Sequence, residues 1–138
     1  MVSRALSERR ENEKPIRIIF IDDEKDEAEL VGLNLKGTNL DVATVSTPRE
    51  ALTLLKGQSF DCVVSDYMMP EMNGIQLCTE IRRTSNIPFI IYTAYDSAGV
   101  ANSALAAGVD YYIQKKQNIA HFQNLASSIE HAIEMRRQ

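Results

Sequence analysis

Cysteine is scarce: there are two in 138 residues, Cys62 and Cys78, each inside an apolar run. They lack CxxC spacing and no Cys/His cluster accompanies them. That argues against a disulfide framework or a zinc site and for reduced core thiols. Long hydrophobic runs are missing too. None approaches the ~20 residues that a membrane-spanning helix needs. The opening MVSRALSERRENEK lacks the apolar stretch of a signal peptide, so a soluble, cytoplasmic protein with no membrane partner is expected. Strong charge of one sign is absent: the formal net charge is −4. The basic pairs Arg9–Arg10 and Arg136–Arg137 are short and terminal, a poor basis for direct binding of nucleic acid. Neither GxxxxGK[ST] nor GxGxxG occurs, which removes the usual nucleotide-binding loops. There is no repeat of fixed period and no low-complexity segment.

What remains is ordinary globular material, 44% apolar and 25% charged, of a length that suits one domain with one core. Residues 1–14 are polar and read as a flexible leader, and residues 15–138 as the domain. Pro15 opens IRIIFI (Ile16–Ile21), short and β-branched, which reads as a buried strand. Lys25–Lys36 has apolar residues at helical spacing, with Gly37 placed to stop it. Leu40–Ser46 alternates like a strand. Thr47-Pro48-Arg49-Glu50 is a helix start in which Thr47 caps and Glu50 completes a capping box. That helix runs to Lys56 and stops at Gly57. Asp61–Ser65 reads as a buried strand and Asp66–Asn73 as a loop. A helix over Gly74–Thr84, a strand over Pro88–Thr93, a helix over Ser97–Ala107 ended by Gly108, a strand over Asp110–Gln114 and a last helix from about Asn118 complete the series. Five strands alternating with five helices predict an α/β fold, one parallel sheet covered on both faces.

Asp22 and Asp23 follow the first strand and Asp66 follows the third. In a doubly wound sheet, ligands bind beyond the carboxyl ends of the strands, where strand order reverses. In the order 2-1-3-4-5 these three carboxylates converge there. Two carboxylates ~5 Å apart repel by roughly 3 kcal/mol at an effective dielectric near 20, and a divalent ion relieves this. Carboxylates with a backbone carbonyl are hard oxygen ligands and favour Mg²⁺. Thr93 ends the fourth strand with a hydroxyl, and Lys115 follows the fifth with an ammonium. This is the set a phosphoryl group needs, and a carboxylate can act as its nucleophile.

Four pieces in order, FIDDE (Phe20–Glu24), VVSDYMMPEMNG (Val63–Gly74), IIYTA (Ile90–Ala94) and GVDYYIQK (Gly108–Lys115), resemble the receiver domain of two-component response regulators. The resemblance covers about Pro15 to the C-terminus and implies a single flavodoxin-like (βα)5 domain. It implies that Asp66 is the phospho-acceptor and that Asp22, Asp23, Asp66 and the Met68 carbonyl hold Mg²⁺. It also implies that Thr93 and Lys115 meet the phosphoryl group and that the Tyr112 rotamer follows Thr93. A histidine kinase or phosphotransfer protein would be the partner. The fourth helix, fifth strand and fifth helix would form the output face and a possible homodimer contact. Met69-Pro70 and Gly74 resemble the family's loop, where glycine permits a strained backbone. The chain departs from the family at Lys116, where proline is usual. A non-proline cis bond costs ~2.5–4 kcal/mol, so a trans bond and a different loop are expected. Met68 and Tyr95, two residues after Asp66 and Thr93, lie where the family's hydrolytic water passes, which implies a slow reset.

Two rival readings remain. A phosphohydrolase resembling the haloacid dehalogenase group would carry a second Asp two residues after the nucleophile, where Met68 stands, and a cap insertion that is absent. An interaction module that is never phosphorylated would not need the acidic, Thr and Lys set. Strand alternation sends Tyr111 and Tyr112 to opposite faces, one core and one partly exposed. His121 and His131 are read as packing or exposed residues, and Met68, Met69 and Met72 as packing and loop residues. No output domain fits after the fifth helix, which leaves a stand-alone receiver or a fragment of a longer chain.

Overall fold

Strands that are apolar on both faces must be covered on both faces, and the chain does this. In the computed structural model, which describes residues 15–35, 38–116 and 119–137, the elements run β1 (Ile16–Ile21), α1 (Lys25–Leu35), β2 (Leu40–Val45), α2 (Pro48–Gly57), β3 (Cys62–Ser65), α3 (Gly74–Arg82), β4 (Phe89–Thr93), α4 (Ala98–Ala106), β5 (Tyr111–Gln114) and α5 (Ile119–Arg137). The five strands are parallel in the order β2-β1-β3-β4-β5. The expected leader, residues 1–14, and the expected stop at Gly37 lie outside the described residues.

The two faces of the sheet carry separate cores. Ile18, Phe20, Val64 and Tyr92 pack under α1 (Val31, Leu35) and α5 (Leu125, Ile129). Ile19, Ile21, Val63 and Ile91 pack under α2 (Ala51), α3 (Leu77, Ile81) and α4 (Ala104). Cys62 lies in the first core and Cys78 in the second, both buried and free. Burial pushes both thiols up from their ordinary range, so they are inert packing groups.

Several local readings are corrected. Helix α2 does not stop at Lys56. It runs through Gly57, and the extended Gln58 ends it, its N–H donating to Leu54 O at 2.9 Å. Gly57 is not left-handed, whereas Gly108 (φ 103) is, so of these two glycines, both among the described residues, Gly108 performs the expected stop. Thr47 caps α2 as read, accepting from Glu50 N at 3.1 Å, but its hydroxyl donates to the Glu50 carboxylate at 3.2 Å in place of the second limb of a capping box. The complete box lies at Asn73, read as loop: Asn73 and Gln76 exchange side chain for main chain at 2.8 Å both ways. Gly74 is required by close approach, not by strain. A Cβ there would sit 2.6 Å from Asp66 O, while the left-handed residue of the loop is Glu71 (φ 72). No cis peptide bond occurs among the described residues, in keeping with Lys116 in the place of proline.

Candidate functional site

Strand register brings the chemistry together. Ile21 pairs with Ser65, and Asp66 N donates to Ile21 O at 2.9 Å, so Asp22 and Asp66 emerge side by side. Thr93 pairs with Gln114, and Lys115 N donates to Thr93 O at 2.7 Å, which carries Lys115 to the same edge. One carboxylate oxygen from each of Asp22, Asp23 and Asp66 lies within 4.8 Å of the others. Lys115 Nζ reaches Asp22 Oδ2 at 2.8 Å, Asp66 Oδ2 at 3.5 Å and Glu27 Oε2 at 3.9 Å. Asp23, Asp66, Met68, Thr93 and Lys115 line a cavity of about 650 Å³ open to solvent. Asp22 is not part of that lining but joins the site through its carboxylate, beside Asp23, Asp66 and Lys115, whereas Tyr112 does not line the cavity.

Asp22, Asp66 and Thr93 are buried, Asp23 and Met68 exposed. Burial pushes the Asp22 carboxyl above its ordinary range, only partly opposed by the Lys115 hydrogen bond and by the Glu24 N–H at 2.9 Å. Burial alone would lower the Lys115 ammonium. Its hydrogen bond to Asp22 and the charges of Asp66, Asp22 and Glu27 outweigh that and hold it above its ordinary range. One ammonium against four carboxylates leaves an excess of negative charge in a partly dry site. Hard oxygen donors with that excess fit a divalent cation such as Mg²⁺. Asp66 is itself fixed: Tyr67 N donates to its Oδ1 at 2.7 Å and the Ser65 hydroxyl to its carbonyl at 2.8 Å.

Above the cavity, Tyr95 N donates to Thr93 Oγ1 at 3.2 Å, and the Tyr112 hydroxyl donates to Tyr95 O at 2.5 Å. Tyr111 and Tyr112 do face opposite cores, and both are half-buried rather than one core and one partly exposed, because β5 is an edge strand. On the other face Tyr92 lies under the site, with Lys115 Nζ 5.7 Å from its ring centroid. Burial, then the charges of Glu27 and Asp22, pushes the Tyr92 phenol up to about 12. His121 packs there, stacked on Tyr92 at a centroid distance of 5.3 Å, with Nε2 3.1 Å from the hydroxyl. His131 is exposed and hydrogen-bonded to Tyr111.

Sequence reasoning missed Glu27. Its signal was its place four residues after Asp23 in the first turn of α1, on the turn that faces the strand ends. It also missed Tyr67, whose ring lies 5.3 Å from that of Tyr95.

Residues 18–127 match the family model of the response regulator receiver domain. The chain is 34% identical over 102 residues to response regulator MprA of Mycolicibacterium vanbaalenii, covering 73% of this chain and 44% of that protein. It is 34% identical over 99 residues to DNA-binding response regulator MtrA of Mycobacterium tuberculosis, covering 72% and 43% respectively. The match thus spans less than half the length of these curated relatives. Among solved structures, the receiver domain of the Francisella response regulator 1452 superposes with a TM-score of 0.78 at 27% identity, covering 87% of this chain and 98% of that one. The signal receiver domain of an HD domain-containing protein from Pseudomonas fluorescens Pf-5 gives a TM-score of 0.80, covering 89% and 98%; at 20% identity it speaks to the fold alone.

Proposed function

Given that this chain belongs to the response regulator receiver domain family, we propose that it is a phosphorylation-controlled switch with Asp66 as phospho-acceptor. A carboxylate oxygen of Asp66 attacks phosphorus, the P–N bond of a partner's phosphohistidine breaks, and its electron pair stays on the imidazole. Water later attacks the phosphorus, breaks the new P–O bond and returns the carboxylate. Lys115 and the Thr93 hydroxyl take the phosphoryl oxygens. Asp22, Asp23, Asp66 and the Met68 carbonyl would hold Mg²⁺, which when bound supplies charge neutralisation at those oxygens. The observation that carries this reading is the placement of Lys115 Nζ, 2.8 Å from Asp22 and 3.5 Å from Asp66, beside three carboxylates within 4.8 Å.

The protein is read as a signalling switch, assisting only its own phosphorylation and dephosphorylation. The added charge biases a two-state equilibrium in which Thr93 and Tyr112 re-pack, and α4, β5 and α5 present the result to a partner or a second copy. MtrA is named as DNA-binding; for this chain, with a net charge of −4, direct binding of nucleic acid is not proposed. No helix among the described residues is long and apolar enough to cross a membrane, and the cytoplasm is the proposed location. The test is incubation with Mg²⁺ and a small phosphodonor, read by mass. A phosphoryl gain that disappears in Asp66→Asn is expected. A wild-type chain that stays unmodified, by both small donor and phosphohistidine donor, would point to the inert module instead.

A further inference from the structure

Tyr67 directly follows Asp66, and Tyr95 lies two residues after Thr93. Their rings meet with centroids 5.3 Å apart and planes at 35°. Tyr67 belongs to a fixed loop: its carbonyl accepts from Gly74 N at 2.9 Å, and its Cα lies 3.3 Å from where a Cβ on Gly74 would stand. Tyr95 belongs to an exposed one, with Ala94, Tyr95 and Asp96 all open to solvent. Tyr95 is also the residue that holds the Tyr112 hydroxyl, through its carbonyl at 2.5 Å, and its N–H is bonded to Thr93 Oγ1 at 3.2 Å. The ring contact therefore ties the acceptor loop to the loop that positions Tyr112.

Resting on the reading of Asp66 as phospho-acceptor, we propose that Tyr67 is a positioning residue whose ring braces Tyr95 and so sets the placement of Tyr112 and the lifetime of the phosphoryl group. A change at the Asp66 carboxylate is felt by the Tyr67 N–H, which donates to Asp66 Oδ1 at 2.7 Å. The ring passes it to Tyr95, and the Tyr95 carbonyl passes it to Tyr112. This gives the acceptor a route to Tyr112 beside the one through Thr93. Without the ring, Tyr95 is tied only through its main chain, Tyr112 loses a fixed acceptor, and water reaches the cavity mouth more freely.

Four variants test this: Tyr67→Leu, Tyr67→Phe, Tyr95→Leu and the Leu/Leu double. In the unphosphorylated protein, Tyr67→Leu is expected to shift the ring resonances of Tyr112 and to raise amide exchange at Tyr95 by roughly twofold to tenfold, the scale of one aromatic pair. Tyr67→Phe, which keeps the ring, is expected to retain wild-type values. After removal of donor, phosphate loss in Tyr67→Leu should quicken by a similar factor, and the double variant should be no faster than the faster single. Unmoved Tyr112 resonances in Tyr67→Leu, or a Tyr67→Phe variant that behaves like Leu, would overturn the brace. If Tyr67→Leu does not fold, Tyr95→Leu reads the same contact from the exposed side. If wild type never takes phosphate, the reading of Asp66 fails, while the measurements on the unphosphorylated protein still decide the brace.

Discussion

At the scale of single residues, Lys115 holds the acidic site together. Its side chain is 12% exposed and that of Asp22 is fully covered, so removing the ammonium strands a carboxylate in a dry place. Lys115→Met is expected to destabilise the metal-free protein by about 3 kcal/mol at neutral pH, read by urea unfolding; unchanged stability would show that the pair contributes nothing. Met68, 58% exposed, offers water no hydrogen bond at the cavity mouth. Met68→Asn is expected to speed loss of phosphate from Asp66, and a slower or equal rate would remove Met68 from the control of lifetime. The convergence of Asp22, Asp23, Asp66, Thr93 and Lys115 was legible because each ends or follows a strand, and a parallel sheet gathers such residues on one edge. Glu27 was harder, since its approach depends on how α1 turns back over the sheet. The Tyr67–Tyr95 contact was not legible at all, because it joins two loops whose paths no periodicity encodes.

At the scale of elements, the starts of α2, α3 and α4 are each capped by a side chain, that of Thr47, Asn73 and Ser97 respectively, which accepts from a main-chain N–H. Asn73 caps α3 with both limbs of a capping box, and α3 begins eight residues beyond Asp66. Asn73→Ala is expected to cost about 1 kcal/mol and to lower the thermal midpoint. An unchanged midpoint would mean that Gly74, packed against Asp66 O, anchors the helix alone. The order of elements was readable from switching between short β-branched runs and helical spacing, and central strands such as Cys62–Ser65 and Phe89–Thr93 are buried throughout, as their composition implied. The ends were less readable. Gly57 looked like a stop, yet a glycine ends a helix only where the chain turns left-handed. Asn73 looked like loop because its polarity matched its neighbours, and only its bonds to Gln76 reveal the cap.

At the scale of the whole molecule, the last helix is bound to the sheet at both ends. Near its start His121 stacks on Tyr92. Near its end Arg136 donates to Asp110 Oδ1 at 3.0 Å and to Gly108 O at 3.1 Å, beside Arg82, which donates to Gly108 O at 2.9 Å. Burial first, and the charge of Lys116 second, hold the His121 imidazole below its ordinary range. The unfolded chain then binds this proton more readily than the folded one. The stability so contributed is present above the unfolded value of about 6.5 and is lost as pH falls through the folded value. Wild type is expected to lose more thermal stability than His121→Phe between about pH 7.5 and 5.5, and parallel losses would contradict this. The two-faced architecture followed from the sequence because alternating elements allow few other packings; the clasp at Asp110 did not, since it joins α3, β5 and α5 across long stretches of chain. The central claim concerns one edge of that architecture. A crystal structure grown with Mg²⁺ and a beryllium fluoride mimic of the phosphoryl group tests it most directly. The account requires the ion on Asp22, Asp23 and Asp66, the mimic on Asp66, and Lys115 and Thr93 against its fluorines; an ion held elsewhere, or a mimic that leaves Asp66 bare, would contradict it.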